Sequence, residues 1–443
     1  MQLPVIVQIL VIFSAIVLAT TRKAHLGLAA ALGGVVFALW RGLGPAATAA
    51  AVGRELFRAD TLLIMLLMTA IMAFSTAMKK AGAMDAFSSA LRAVTPSPRI
   101  AMAVAPLLIG TLPMPGGAIM SAPLVESMDP DKRHGGDVLS AVNYWFRHSL
   151  ELAWPLYPAF ILTSSLSGIE AGRLILLNAY ALPLLFILGL LLVAPRGVGA
   201  GDGSARTHSA EAAARPRPSL GRRLAAFAHG VGPLAVVLGS YIALDALWRG
   251  AGSTLGLGAP AAALFGRYAP ILAGLALGSA FLARRAGGWA CFKGSVNGAT
   301  FKLIAVIAGI RVFSALLDGA GAAQAAAAEL ATAGIPLLAA VALLPFIAGL
   351  VTGVGFGYVG LAFPIVMGML PEGGAIPREA GVVFAGAFGY AGMMLSPLHV
   401  CMVVSAEHFG TGLAATIRRF ALPLALFVLV ASAYAYGLGL ILS

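Results

Sequence analysis

Charge is what this chain has least of. Only 10% of its 443 residues are Asp, Glu, Lys or Arg, against 60% hydrophobic and a mean hydropathy of +0.94, so a water-soluble surface cannot be assembled from it. Cysteine is almost missing: Cys291 and Cys401 fall in different regions and give neither disulfide nor metal spacing, which sets redox chemistry aside. Acidic residues number 17 against 29 basic ones, for a net charge of +12. The basic residues are scattered over short loops with no basic soluble domain, which argues against nucleic acid and fits the positive-inside rule. His-Glu-x-x-His, Gly-x-Gly-Asp and Gly-x-Ser-x-Gly are all absent, so neither an intramembrane enzyme nor a bound cofactor or metal is expected.

What is present is a series of apolar runs long enough to cross a bilayer. They lie at roughly 3–21, 25–40, 60–78, 138–164, 172–194, 225–248, 258–283, 302–317, 381–407 and 419–441. The spacing predicts an all-α membrane protein with about ten transmembrane helices, its surface in contact with lipid. The first run has no basic n-region and reads as a retained helix. Two further stretches, about 98–126 and 336–368, are apolar but broken by Pro and Gly.

The chain nearly repeats itself. Phe74-Ser75 lines up with Phe313-Ser314, and the same shift of 239 carries Leu91 onto Leu330, Pro106 onto Pro345 and Gly110 onto Gly349; a shift of 242 then carries Phe146 onto Phe388 and Pro155-Leu156 onto Pro397-Leu398. Residues 1–194 and 224–443 therefore read as two copies of one unit, joined by a polar linker at 195–223. Placing both termini outside puts twenty basic residues in cytoplasmic loops and seven in outer loops, with Arg147 and Arg311 inside spans. Five crossings per copy is odd, so the second copy is expected to be inverted, an arrangement concentrated in transporters.

Gly110-Thr111-Leu112-Pro113-Met114-Pro115-Gly116-Gly117, running on through Ser121 to Pro123, cannot continue as one helix. Irregular backbone survives at membrane depth only inside protein or along an aqueous cavity, which predicts a re-entrant hairpin. Its counterpart runs from Gly349 through Thr352, Gly353, Gly355 and Gly357 to Gly360. A helix N-terminus starting at Gly116 or Gly357 would favour an anion.

The predicted spans at about 138–164 and 381–407 are broken helices. In the first, Asn143, Arg147 and Glu151 are spaced i, i+4, i+8, which places them on one face if the helix continues, and Pro155 and Pro158 break the span about midway. Charged groups inside a span cost at least about 2.5 kcal/mol each and mark substrate or ion paths. Arg147 suits a carboxylate, and His148 and Glu151 suit proton transfer. A structural ion pair snorkelling to the cytoplasmic rim is the bland reading. The matching span carries Tyr390, Ser396 and His399 without the charges. Arg311 has nothing acidic within one turn, so it awaits a substrate anion or a partner from another helix, or snorkels outward.

Leu112-Pro113-Met114-Pro115-Gly116-Gly117-Ala118, Asn143 to His148 and Pro155 to Pro158 resemble a prokaryotic integral-membrane family filed under a domain-of-unknown-function label. That family is grouped with the ion transporter superfamily, alongside gluconate permeases, divalent-anion/sodium symporters, arsenite pumps and some sodium/proton antiporters. The resemblance implies the cytoplasmic membrane, a scaffold domain, a transport domain of two re-entrant hairpins and two discontinuous helices, elevator-like movement and commonly a homodimer. Where the divalent-anion symporters carry polar triplets at the tips, this chain has Met114-Pro115-Gly116 and Val354-Gly355-Phe356, which weakens the case for sodium sites of that kind and raises proton coupling through Glu151, His148 or His399.

The expected function is secondary active transport of a small anion, an organic carboxylate, coupled to protons or sodium. Arg147 neutralises the ligand; Gly116, Gly117, Gly355 and Gly357 present backbone donors, with Pro115 and Gly353 lining the tips. Ser121, Asn143, Thr352 and Ser396 add hydrogen bonds. The alternative is a cation/proton antiporter built on Arg147 and Glu151.

Overall fold

A computed structural model describes residues 3–83, 97–111, 117–129, 131–195, 220–252, 256–371 and 373–442. The first tip, with Pro115 and Gly116, and most of the linker lie outside these residues. The described chain is all-α. Seven helical stretches are long and apolar enough to cross a bilayer: Ala59–Lys80, Ala171–Val193, Gly230–Gly250, Ala259–Arg285, Gly298–Gly319, Arg378–His408 and Leu413–Leu442. Shorter apolar helices fill in around them. Leu66, Ile242, Leu247, Leu277, Leu429, Leu440 and Ile441 are exposed on their outer faces, the apolar surface that a multi-pass protein turns to lipid.

The helices that matter for the site are numbered in chain order. The N-terminal group is α1 (Val5–Thr21), α2 (Leu26–Trp40), α3 (Pro45–Leu56) and α4 (Ala59–Lys80). The first Pro/Gly stretch forms two short helices, α5 (Pro98–Ile109) and α6 (Gly117–Glu126), which pack on each other. An interrupted helix follows as α7 (Gly136–His148) and α8 (Pro158–Ser167). After α9 (Ala171–Leu177) and α10 (Ala181–Leu188) come the long α11 (Leu220–Ala251), α12 (Ala259–Arg285) and α13 (Gly298–Gly319), then α14 (Ala322–Thr332). The second Pro/Gly stretch forms α15 (Leu337–Thr352) and α16 (Gly355–Met369), and the second interrupted helix is α17 (Arg378–Leu395) with α18 (Val400–His408). The last helix is α19 (Leu413–Leu442).

Both interruptions follow from local chemistry. Helix α17 stops at Leu395 because Ser396, which precedes Pro397, is driven to extended backbone (φ −70°, ψ 124°). Its hydroxyl then accepts a hydrogen bond from the Leu398 amide at 3.2 Å. Helix α7 ends earlier than its prolines require. It stops at His148, Ser149 Oγ bonds back to the Trp145 carbonyl at 3.0 Å, and turns run to Pro158, which opens α8. Glu151 is therefore beyond the helix end, and the i, i+4, i+8 face expected for it holds only for Asn143 and Arg147.

Contacts cross between the halves. Helix α6 packs on α18, and α16 packs on α8. Sequence-matched glycines make matched approaches: a Cβ on Gly110 would strike the Arg147 carbonyl oxygen, and one on Gly349 would strike that of Gly389. Position 389 is where the 242-residue shift carries Arg147. Gly27 and Gly309 likewise let α2 and α13 touch backbone to backbone.

Candidate functional site

Where the interrupted helices and short helix pairs meet, the structure gathers most of the expected polar residues. Arg147 and His148 end α7, each only 4% exposed, and Glu151 follows in the turn at 6%. The Arg147 guanidinium lies on Gly117 so closely that a Cβ there would collide with it. Helix α6 starts at Gly117, so a fixed cation sits on the positive end of a helix.

Glu151 is placed on the other pair. A Cβ on Gly355 would collide with its Oε1, and α16 starts at Gly355, two residues before the start expected at Gly357. The second helix N-terminus is thus met by a carboxylate of the protein. Gly353 ends α15 in the left-handed conformation (φ +63°), as a helix-terminating glycine does. It packs so tightly against Ser396 and His399 that a Cβ would come within 2.8–2.9 Å of them.

The two breaks also bring histidines together. The His148 and His399 rings stand edge to face with centroids 4.6 Å apart, and Tyr144 stacks against both at 4.7 and 5.1 Å. Cys401 lies against these imidazoles and Arg147. Asn143 donates from Nδ2 to Ser405 Oγ at 2.8 Å, tying α7 to α18. Its Oδ1 has no hydrogen-bond partner among the described residues.

Ser121, Thr352 and Gly357 are placed less directly. The Ser121 hydroxyl turns back to the Gly117 and Ala118 carbonyls of its own helix, both at 3.4 Å, and Thr352 Oγ1 donates to the Ala348 carbonyl at 2.7 Å. Gly357 packs on the Thr352 side chain. Between Glu151, Tyr358 and Asn178 there is a cavity of only about 20 Å³, room for about one water. Among the described residues around Glu151, the centre is closed to anything larger than water.

A far larger cavity, about 720 Å³, lies elsewhere, beside Arg311. Arg311 has acidic partners from other helices: Glu55 of α3 at 2.7 Å and Asp60 of α4 at 2.9 Å, with Ser165 of α8 at 3.1 Å. Asp60 also accepts from Arg267 at 3.1 Å and Tyr268 at 2.8 Å, and Glu55 from Thr61 at 2.7 Å. Of the readings open for Arg311, partnership across helices is the one present. Arg58, Arg378, Asp318, Ser167 and Ser314 complete the polar lining. Neither Glu55, Asp60 nor Cys401 stands out in the sequence, because the arginines they meet, Arg311 for the two carboxylates and Arg147 for the thiol, are more than 200 residues away.

The matching family spans residues 5–197 and 270–438, most of the chain. The chain belongs to the family described as "Protein of unknown function (DUF401)". No curated protein matches it. Among solved structures it is similar to the YdaH transporter of Alcanivorax borkumensis, whose crystal structure is described as revealing an unusual topology. The identity is 14% and the TM-score 0.53, over 84% of this chain and 85% of that one. At that identity the likeness is one of fold: both chains are all-helical and multi-pass.

Proposed function

We propose that this protein is a secondary active transporter of a small anion, best matched by an organic carboxylate, across the cytoplasmic membrane. The observation that carries the proposal is the Arg147 guanidinium lying on Gly117 at the start of α6. A buried cation and a helix N-terminus both favour negative charge in one place, and a planar guanidinium matches the two oxygens of a carboxylate. Glu151 already supplies negative charge to the start of α16, so the anion belongs at the first helix pair, with Asn143 and Ser121 beside it; Pro115 and Gly116, outside the described residues, belong to the same site on the sequence reading alone. Thr352, Gly353, Gly355, Gly357 and Ser396 form the opposite wall.

The two copies would be inverted repeats of the ion-transporter-superfamily kind, with 195–223 cytoplasmic and both termini outside. Their helix pairs and interrupted helices would move as a transport domain against the remaining helices, in a homodimer. The crossed packing of α6 on α18 and α16 on α8 supports that symmetry. The closed centre and the open cavity by Arg311 fit a state caught between access to the two sides, with the Arg311 to Ser165 hydrogen bond joining the two bodies. Coupling falls to His148, His399 and Glu151.

Because those three titratable groups are buried together, cation/proton antiport is the second reading. Proteoliposome assays separate the two. Accumulation of a labelled carboxylate driven by a proton or sodium gradient, lost in Arg147→Ala, supports anion transport. Proton release on adding sodium, with no uptake of any anion, supports the antiporter.

A further inference from the structure

The anion site assigns no role to Cys401, which lies against Arg147 and two buried imidazoles. His148, His399 and Cys401 each offer one ligand atom, and these atoms lie within 4.8 Å of one another. The three come from separate places: the last residue of α7, the residue before α18, and the first turn of α18. Two observations point to a ligand for them. His148 Nδ1 is 2.8 Å from the Tyr144 carbonyl oxygen. A carbonyl only accepts, so Nδ1 holds the proton and Nε2 presents a lone pair, the orientation that second-shell bonds impose on metal-binding histidines. His399, 94% buried, has an Nδ1 with no hydrogen-bond partner among the described residues, and a buried polar atom left unmatched calls for an explanation.

We propose that His148, His399 and Cys401 form a three-ligand site for a borderline-soft metal ion of the zinc class. Two imidazoles and a thiolate suit zinc over magnesium or calcium, which prefer oxygen. Zinc–nitrogen bonds of about 2.0–2.1 Å and zinc–sulfur bonds of about 2.3 Å put tetrahedral ligand atoms roughly 3.3–3.7 Å apart. The three atoms therefore have to close by about 1 Å, and His399 and Cys401 are on the interrupted segment best able to supply it. Binding releases the thiol proton to solvent. Arg147 opposes a dication here, and the thiolate and the Glu151 carboxylate offset it. Three protein ligands leave a fourth position open, as in zinc sites that exchange a ligand. The site lay hidden in the sequence because His148 is 253 residues from Cys401.

Cobalt(II) titration of the full-length, chelator-washed protein in detergent reads the site directly. The expected result is thiolate-to-cobalt charge-transfer absorption saturating at one equivalent and reversed by zinc. It is retained in Cys291→Ser and lost in Cys401→Ser, and affinity falls at least about tenfold in His148→Ala and in His399→Ala. Should those variants fail to fold, Cys291→Ser alone still tests the proposal, because Cys401 is then the sole thiol and stoichiometric zinc must slow its alkylation by a maleimide. No charge-transfer absorption at one equivalent, its persistence in Cys401→Ser, or an alkylation rate unmoved by zinc would each overturn the assignment. None of these readouts involves an anion, so the metal site and the anion site fail separately; a bound metal takes both imidazoles out of proton coupling and leaves that role to Glu151.

Discussion

The two interrupted helices share a backbone and differ in chemistry. Each is approached by a matched glycine, Gly110 at the Arg147 carbonyl and Gly349 at the Gly389 carbonyl, but the second breaks beside Pro397 whereas the first ends at His148, ahead of its prolines. Yet the first carries Arg147, His148 and Glu151, where the second carries Gly389, Tyr390 and Met393 and then contributes His399 and Cys401 beyond its break. The helix starts that face them differ in the same sense: α6 meets a cation and α16 meets a carboxylate. Matched glycine approaches are common to both, while the charged side chains make one part of the centre positive and the other negative.

The strongest way to probe the framework lies outside that centre. Arg311→Ala leaves Glu55, 7% exposed, and Asp60, 6% exposed, without their shared cation. Breaking a buried pair in this way costs about 3–5 kcal/mol. A marked fall in melting temperature in detergent is expected, and an unchanged melting point would show that the network is not structural.

The matched glycines test equivalence. Gly110→Ala and Gly349→Ala each force a Cβ onto a carbonyl oxygen, an overpacking cost of about 1–3 kcal/mol in either case. Similar losses of thermal stability are expected, whereas only Gly110→Ala should weaken anion uptake, because only it displaces Arg147. A large difference in stability between the two would break the comparison at the level of backbone.

Smaller effects sharpen the difference in charge. Gly117→Ala pushes the Arg147 guanidinium aside and should raise the anion concentration needed for half-maximal uptake. Gly355→Ala meets the Glu151 carboxylate instead and should leave that concentration unchanged. Glu151→Gln removes a charge from a helix N-terminus, an effect of about 0.3–2 kcal/mol. Its expected signature is a flattened dependence of uptake rate on pH, measured in proteoliposomes with the substrate held fixed.

Much of this was legible in the chain. Composition alone demanded a membrane, and Pro397 and Gly353 mark where helices end, because those residues act on their own backbone. Arg147, His148 and His399 stood out because ionisable groups are costly inside apolar runs. What sequence spacing cannot carry is a contact between distant segments. Glu151 was placed on a helical face that the unwinding at Ser149 removes, since a serine bonding back to its own helix leaves no periodic trace. Cys401 looked isolated, and Arg311 looked unpartnered, because His148, Glu55 and Asp60 reach them only through packing.

The central claim is that Arg147 at the start of α6 makes an anion site. Its most direct test is a thermal-shift titration of purified wild-type protein and Arg147→Ala with small carboxylates and inorganic anions, with and without sodium, at two pH values. Saturable stabilisation of the wild type by one anion class, about 2.7 kcal/mol at a hundredfold excess over Kd, and none in Arg147→Ala, is the predicted result. Equal stabilisation of both proteins, or a wild type that responds to sodium or pH but to no anion, would contradict it.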